Sequence, residues 1–426
     1  MRRYPFSPEL IDALPEELAE LFRGLEITLL EEICSRLKLA DQLNEVTVQD
    51  IRALRAHGID LEDIEKAIRE TAGISREKLE QLFDDVVERN QAYYTELIDI
   101  AAVTKPEILV SERDIEAIRK QTQDVFTNLT QSMGFLVDNG RTMLPPVKAY
   151  QWALDSAEMQ IQSGAISYNQ AIKSAVKQLA DAGACVIYDK AGKPIKNMVG
   201  YESGHKDQLD VAVRRAVMTG VNQINQKYRE QSMDYLETDL VETSAHIGAR
   251  NIDGPNGWEN HEKWQGRVFR WEGKDSEKSR YAEEDGSLVD DETAARYGYE
   301  DFEKACGYGS VTGIGGANCR HSFWPFIEGV MERTYSDKQL ESMKADNHKF
   351  KFEGKEYDGY TATQKQREIE RTIRKLKREQ AAFKAAGMTE NEQSVSVAIL
   401  RLKKKYTEFS KKAGLPEQME RMKVLY

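Results

Sequence analysis

Apolar residues recur at three- and four-residue spacing along most of this chain, and the pattern stops near Asp239. A helical stripe must be buried against another element, whereas a segment dense in glycine cannot continue a helix. From Asp239 to about Gly329 the chain is turn-rich and aromatic. It holds Trp258, Trp264, Trp271 and Trp324, and Gly307, Gly309, Gly313, Gly315 and Gly316 within ten residues. The pattern predicts a mainly α protein with a small α+β domain, flanked by long helices in the N-terminal half and the C-terminal tail. The expected divisions are 1–145 (helical), 146–238 (helical with a small hairpin), 239–330 (compact α+β) and 331–426 (basic helical tail).

Local signals place the helices. Ser7-Pro8 supplies a cap and a first-turn proline, and Leu10, Leu14, Leu18 and Leu21 then form one apolar stripe. "TVQD" from Thr47 and "SERD" from Ser111 have the form of helix starts, as does "SYNQ" from Ser167, with Gly183 as the stop. "LPP" at Leu144 to Pro146 reads as a break between two helical stretches. "ACVIYDKAGKPI" reads as a small hairpin, with Val186, Ile187 and Tyr188 returning through a turn to Ile195. A long pattern follows from Lys206 to Leu236, with Leu209, Val213, Val217, Val221 and Ile224 on one face. In the tail, "TATQ" from Thr361 suits a cap, and Ile369, Ile373, Leu376, Gln380 and Phe383 make a short seam. Gly387 and Gly414 close the last two helices, and Pro416 follows.

Composition excludes several classes. The 426 residues are 40% hydrophobic and 31% charged, which suits a water-exposed protein with true cores. No run of residues matches a membrane span, and "MRRYPFSPEL" lacks the apolar centre of a signal peptide. Cys34, Cys185, Cys306 and Cys319 are too scattered for a disulfide framework, so synthesis in a reducing cytoplasm is expected. Net charge is −12, unevenly spread. Residues 331–426 carry 22 Lys and Arg against 15 Asp and Glu, a net +7, which leaves −19 for the first 330. The acidic body should not bind nucleic acid unaided, while the basic tail suits an acidic partner or DNA phosphates.

Chemistry-bearing residues gather around "GGANCRHSFWPF", Gly315 to Phe326. Cys319 and His321, two apart in an extended segment, point the same way. With His246 and His261 they make a soft-metal set suited to zinc, although no C-x-x-C or H-x-x-x-H pair is present. A second reading makes Cys319 a nucleophile activated by a histidine. A third makes the segment the buckle of a loop-rich domain: Arg250, Arg267 and Arg320 bridge loops, histidines satisfy backbone groups, and Trp264, Phe323 and Trp324 pack. The third is favoured. Glu283, Glu284, Asp285, Asp290 and Asp291 suit a hard cation less well than an acidic surface loop. No phosphate-binding G-x-x-x-x-G-K-[ST] loop and no G-x-S-x-G elbow occur.

Five segments carry a family resemblance. "GHKDQLDVAVRRAVMTGVNQIN", "VETSAHIGARN", "HEKWQGRVF", "GYGSVTGIGGANCRHSFWPFIEG" and the tail helices "QREIERTIRKLKREQAA" and "YTEFSKKAGLPEQMERMKV" resemble, in order, the phage minor capsid protein 2 family. The likeness covers about Lys206 to Tyr426; the first 200 residues carry no motif that contributes. The family-like positions are His246, Gly248, Ala249, Arg250, His261, Trp264, Gln265, Gly266, Asn318, Cys319, Arg320 and His321. Between Arg250 and Glu262 the chain has "NIDGPNGWENH", a longer link than is usual in the family. The resemblance implies a structural minor head protein of a tailed phage or prophage, similar in role to Mu-type head-morphogenesis proteins. It implies a place in the virion beside the portal, contacts with other head proteins and packaged DNA, and no established catalysis. The rival reading is a thiol- or metal-dependent hydrolase acting during genome entry.

Overall fold

The computed structural model describes residues 4–41, 61–101, 109–137, 142–162, 168–187, 206–271, 299–310, 312–316 and 319–424. The fold is mainly α with small antiparallel sheets. Helix α1 (Pro8–Ala13) starts at Ser7, whose hydroxyl accepts from the Leu10 amide. The expected leucine stripe is divided: α1 stops before Pro15, and α2 (Glu16–Asp41) begins after it. A proline has no amide to donate to the preceding turn, so one continuous helix is not available.

Next come α3 (Leu61–Ile100) and α4 (Glu112–Ser132), the latter capped by Ser111 as its motif predicts. The "TVQD" start and Ser167 lie outside the described residues. Strands β1 (Gly134–Val137) and β2 (Thr142–Leu144) form a hairpin before α5 (Pro146–Gln162). "LPP" therefore separates a strand from a helix, not two helices. Helix α6 (Tyr168–Ala182) ends at Gly183, whose φ of 62° is the left-handed stop expected there.

Strand β3 (Ala184–Ile187) has its described partners in other segments. It pairs with β1 on one side and with β4 (Lys206–Gln208) on the other, in a sheet ordered β2-β1-β3-β4. The hairpin return expected from sequence, Tyr188 to Ile195, lies outside the described residues. All four β3 residues are buried, and so is every residue of β1. A strand covered on both faces favours a central position in a sheet, which local turn signals do not reveal.

Helix α7 (Leu209–Leu236) packs against α2, α3 and α4 through its predicted face. Leu209, Val213, Val217, Val221 and Ile224 are all buried, each worth about 1.5–3 kcal/mol on burial. The buried amides of Asn90 and Asn225 bond each other at 2.7 Å across the α3–α7 contact.

Beyond α7 the compact region holds β5 (Leu240–Thr243), β6 (Val268–Arg270), α8 (Phe302–Cys306) and β7 (Phe323–Pro325). The strands are antiparallel with β5 in the centre. One sheet face sends Val241, Phe269 and Phe323 into an aromatic core with Trp264, Trp271 and Phe302. The other sends Leu240 and Trp324 into the large helical core, where Trp324 stacks on Tyr4 at 5.0 Å. The acidic run from Glu283 to Asp291 is outside the described residues.

The tail contains α9 (Asp337–Met343), a hairpin of β8 (Phe350–Phe352) and β9 (Lys355–Tyr357), α10 (Gly359–Ala385) and α11 (Thr389–Ala413). Thr361 is not the cap of α10. Asp358 is, and Thr361 returns its hydroxyl to the Asp358 amide in a reciprocal box. The seam residues Ile369, Ile373 and Phe383 are buried, and α10 packs on α11, α2 and α6. One hydrophobic cluster runs from Tyr4 to Met422, so the tail lies on the N-terminal helices.

Charge follows the same path. Asp210 faces Arg23 at 3.6 Å and Arg374 at 3.3 Å, and Glu26 faces Arg378 at 3.5 Å. Asp12, 4% exposed, sits among Arg214 (2.5 Å), Arg367 (3.3 Å), Arg320 (4.0 Å) and Arg421. Burial alone would raise its carboxyl; the guanidiniums of Arg421, Arg367, Arg214 and Arg320 outweigh burial and hold it well below the usual carboxylate range. Part of the tail's positive charge is thus answered inside the molecule.

Removing one partner of a buried charge network leaves the others uncompensated, so Asp12→Ala should cost about 3–5 kcal/mol in denaturant unfolding. A loss under about 1 kcal/mol, the range of exposed pairs, would refute the central role given to Asp12. The sign of the pH effect follows from the depressed carboxyl. Its contribution is complete above the unfolded value of about 4 and is lost as pH falls below that toward the folded value. Below about pH 4 the unaltered chain should therefore lose stability more steeply than Asp12→Asn; parallel curves would count against it.

Candidate functional site

The end of β5 and the start of β7 bring the site together. Beyond the strands, the Ser244 amide donates to the Ser322 carbonyl at 2.8 Å, and the Ser322 amide donates to the Ser244 hydroxyl at 2.9 Å. His246 lies two residues after Ser244 and His321 one residue before Ser322, next to this clasp. Their rings stack with centroids 4.4 Å apart. His261 enters from a single 3-10 turn, His261–Lys263, whose next residue Trp264 is held by a bond from its indole to the Trp258 carbonyl. Cys319 follows a turn closed by its amide on the Gly316 carbonyl.

Three of the four soft-ligand candidates converge. Cys319 Sγ lies 3.6 Å from His321 Nδ1 and 3.9 Å from His261 Nδ1, and one ligand atom from each of the three residues lies within 4.8 Å of the others. All are buried. His246 is outside this set, beside it in the stack on His321. The longer link between Arg250 and Glu262 does not displace His261 from the cluster; the Glu262 amide donates to the Arg250 carbonyl and closes that loop.

Hydrogen bonding decides which ring nitrogens carry protons. His261 Nε2 is 2.9 Å from the Thr312 carbonyl, which can only accept. Gln265 Oε1 accepts from the His246 backbone amide at 3.0 Å, which identifies it as the oxygen. His321 Nε2, 3.2 Å from that oxygen, must then donate as well. Both imidazoles are held as Nε2–H tautomers, with Nδ1 lone pairs directed to the thiol. Burial pushes His261 below the usual imidazole range. Burial, with His246, His261 and Arg320 adjacent, pushes His321 well below it. His246 falls to about 3 through burial and the Arg320 guanidinium. The rings are neutral at pH 7.

Arg320 bridges the cluster and the Asp12 network, 3.3 Å from His246 Nδ1. That nitrogen is also 3.0 Å from the Ile247 carbonyl. It cannot donate to one and accept from the other; the shorter contact is the stronger, and it places the proton on Nδ1. Burial raises the Cys319 thiol, against the opposing pull of nearby backbone donors and arginines. A buried thiol of this kind is a poor nucleophile, which weighs against the thiol-hydrolase reading.

The cluster forms part of the wall of a cavity of about 220 Å³. Arg250, Arg320, Arg367 and Arg371, with Tyr360, Thr363 and Gln364 from α10, complete its lining. The family-like Gly248 and Gly266 are at φ 77° and 67°, a conformation open to glycine. Ala249 and Trp264 are buried beside them. Asn318 lies outside the described residues. Sequence reading missed Thr312, the α10 residues of the cavity and Asp12. Each is separated by tens to hundreds of positions from what it touches, and only an apolar-stripe helix with one inward acid hinted at Asp12.

The chain is mainly helical with a clasped β insert. Compared with known families, the chain matches Phage minor capsid protein 2 over residues 6–411, and it belongs to that family of structural phage-head proteins. The match takes in the first 200 residues, which carry no motif of their own. Comparison with curated proteins and with solved structures gave no match. Among the described residues no helix is long and apolar enough to cross a membrane.

A Cβ on Gly248 would sit 2.9 Å from the Gly359 carbonyl oxygen and 2.7 Å from Thr363 Cγ2, whereas one on Gly257 would meet nothing within 4 Å. Both have positive φ. Gly248→Ala should therefore cost more than Gly257→Ala by about 1–3 kcal/mol in chemical unfolding. Equal costs would mean that the loop of His246 is not pinned to α10.

Proposed function

We propose that this chain is a portal-associated minor head protein that assists head assembly and DNA packaging or delivery, with a structural rather than catalytic role. The family match over residues 6–411 carries this reading, because it spans almost the whole chain and not a single module. The exposed side of α11 supports it. Val397 and Leu400 are 46% and 67% exposed, one helical turn apart, with exposed Arg401, Lys404, Lys411 and Lys412 on the same helix. Apolar side chains followed along the helix by cations suit an acidic surface on the portal or another head protein. The same basic strip offers a contact for DNA phosphates. Arg367, Arg374 and Arg378 on α10 are already engaged with Asp12, Asp210 and Glu26.

Co-expression with the portal and head proteins of the same element tests the role. The chain should co-purify with procapsids, and Val397→Asp with Leu400→Asp should reduce its incorporation at least about tenfold, the effect of roughly 1.4 kcal/mol. Absence of the unaltered chain from both procapsids and virions would end the proposal. For the DNA contact, affinity should fall steeply with salt; a flat dependence would remove it.

A further inference from the structure

We infer that Cys319 Sγ, His261 Nδ1 and His321 Nδ1 form a zinc site, with water from the adjoining cavity as the fourth ligand. The spacing carries the inference. Zn–S is about 2.3 Å and Zn–N about 2.0–2.1 Å, so two such ligands at the tetrahedral angle stand about 3.6 Å apart. The sulfur lies 3.6 and 3.9 Å from the two nitrogens.

The hydrogen-bond pattern is a second, separate argument. A metal-bound imidazole usually donates its other N–H to a carbonyl or carboxylate, which fixes tautomer and orientation. Here both do: His261 to Thr312, and His321 to Gln265, whose oxygen is itself fixed by the His246 amide. Without a metal the three donors are mismatched. One S–H proton can serve only one of the two lone pairs, which leaves the other nitrogen without a protein donor. A cation satisfies sulfur and both nitrogens together.

One thiolate with two imidazoles favours zinc over magnesium or calcium, which take oxygen ligands. Binding forms a Zn–S bond in place of the S–H bond and releases one proton to water. The ligands come from two segments 58 residues apart, so the ion would tie the His261 turn to the lead-in of β7. The inference does not depend on the portal role.

The full-length chain, purified without a histidine tag, is loaded with zinc, desalted and analysed for metal. One zinc per chain is expected, reduced at least tenfold in Cys319→Ala, His261→Ala and His321→Ala but retained in Cys185→Ser, whose thiol lies in the other sheet. Substoichiometric zinc in the unaltered chain, or full retention by Cys319→Ala, overturns the site. Should the alanine variants fail to fold, cobalt in the unaltered chain decides. Tetrahedral ligand-field bands with a thiolate-to-cobalt charge-transfer band, kept in Cys34→Ser, Cys185→Ser and Cys306→Ser, support it. A cobalt spectrum lacking the thiolate band overturns it.

Discussion

A single buried carboxylate holds the two ends of this molecule together. Asp12 lies in the first helix, yet its four arginines come from α7, from the segment before β7, from α10 and from the last turn of the chain. Ion pairs at an exposed surface contribute little, because water and salt compete for both partners. Here burial removes that competition, and like-charged guanidiniums can be neighbours only because the acid stays ionised among them. The hydrophobic cluster that runs from Tyr4 to Met422 needs the same closure, since the apolar faces of α2 and α10 are buried on each other.

Arg320 links this network to the site. It stands next to Cys319 and His321 in the chain, and its guanidinium reaches both Asp12 and His246. The clasp of Ser244 on Ser322 then sets the histidines of two distant segments side by side. Gln265 serves as the hinge of the polar arrangement: one oxygen accepts from the His246 backbone and from the His321 ring. Several buried polar groups of this loop-built site, among them His261 and His321, find their partners in other segments.

Elements defined by neighbours in sequence were legible. The face of α7 and the caps at Ser7 and Ser111 could be read because helix burial repeats every three to four residues and a cap bonds within three. Strand partners were not: the pairing of β3 with β1 joins residues some fifty positions apart, and no local rule reports it. The cap of α10 was misplaced by three residues because Asp358 and Thr361 are both good caps, and the β hairpin before them decides where the helix begins. At the site, Cys319, His261 and His321 could be proposed from residue type alone. Their tautomers, and the exclusion of His246 from the ligand-sized cluster, depend on carbonyl positions that only the folded backbone supplies.

By itself, then, the sequence determined the helical character, the position of the glycine-rich insert, the uneven charge and the family, all properties of residue type and short spacing. Tertiary structure decided which acid meets which arginine, which strand is central, and which three of four soft side chains share a point. Those outcomes rest on distances between segments far apart in the chain, set by the packing of whole helices and sheets.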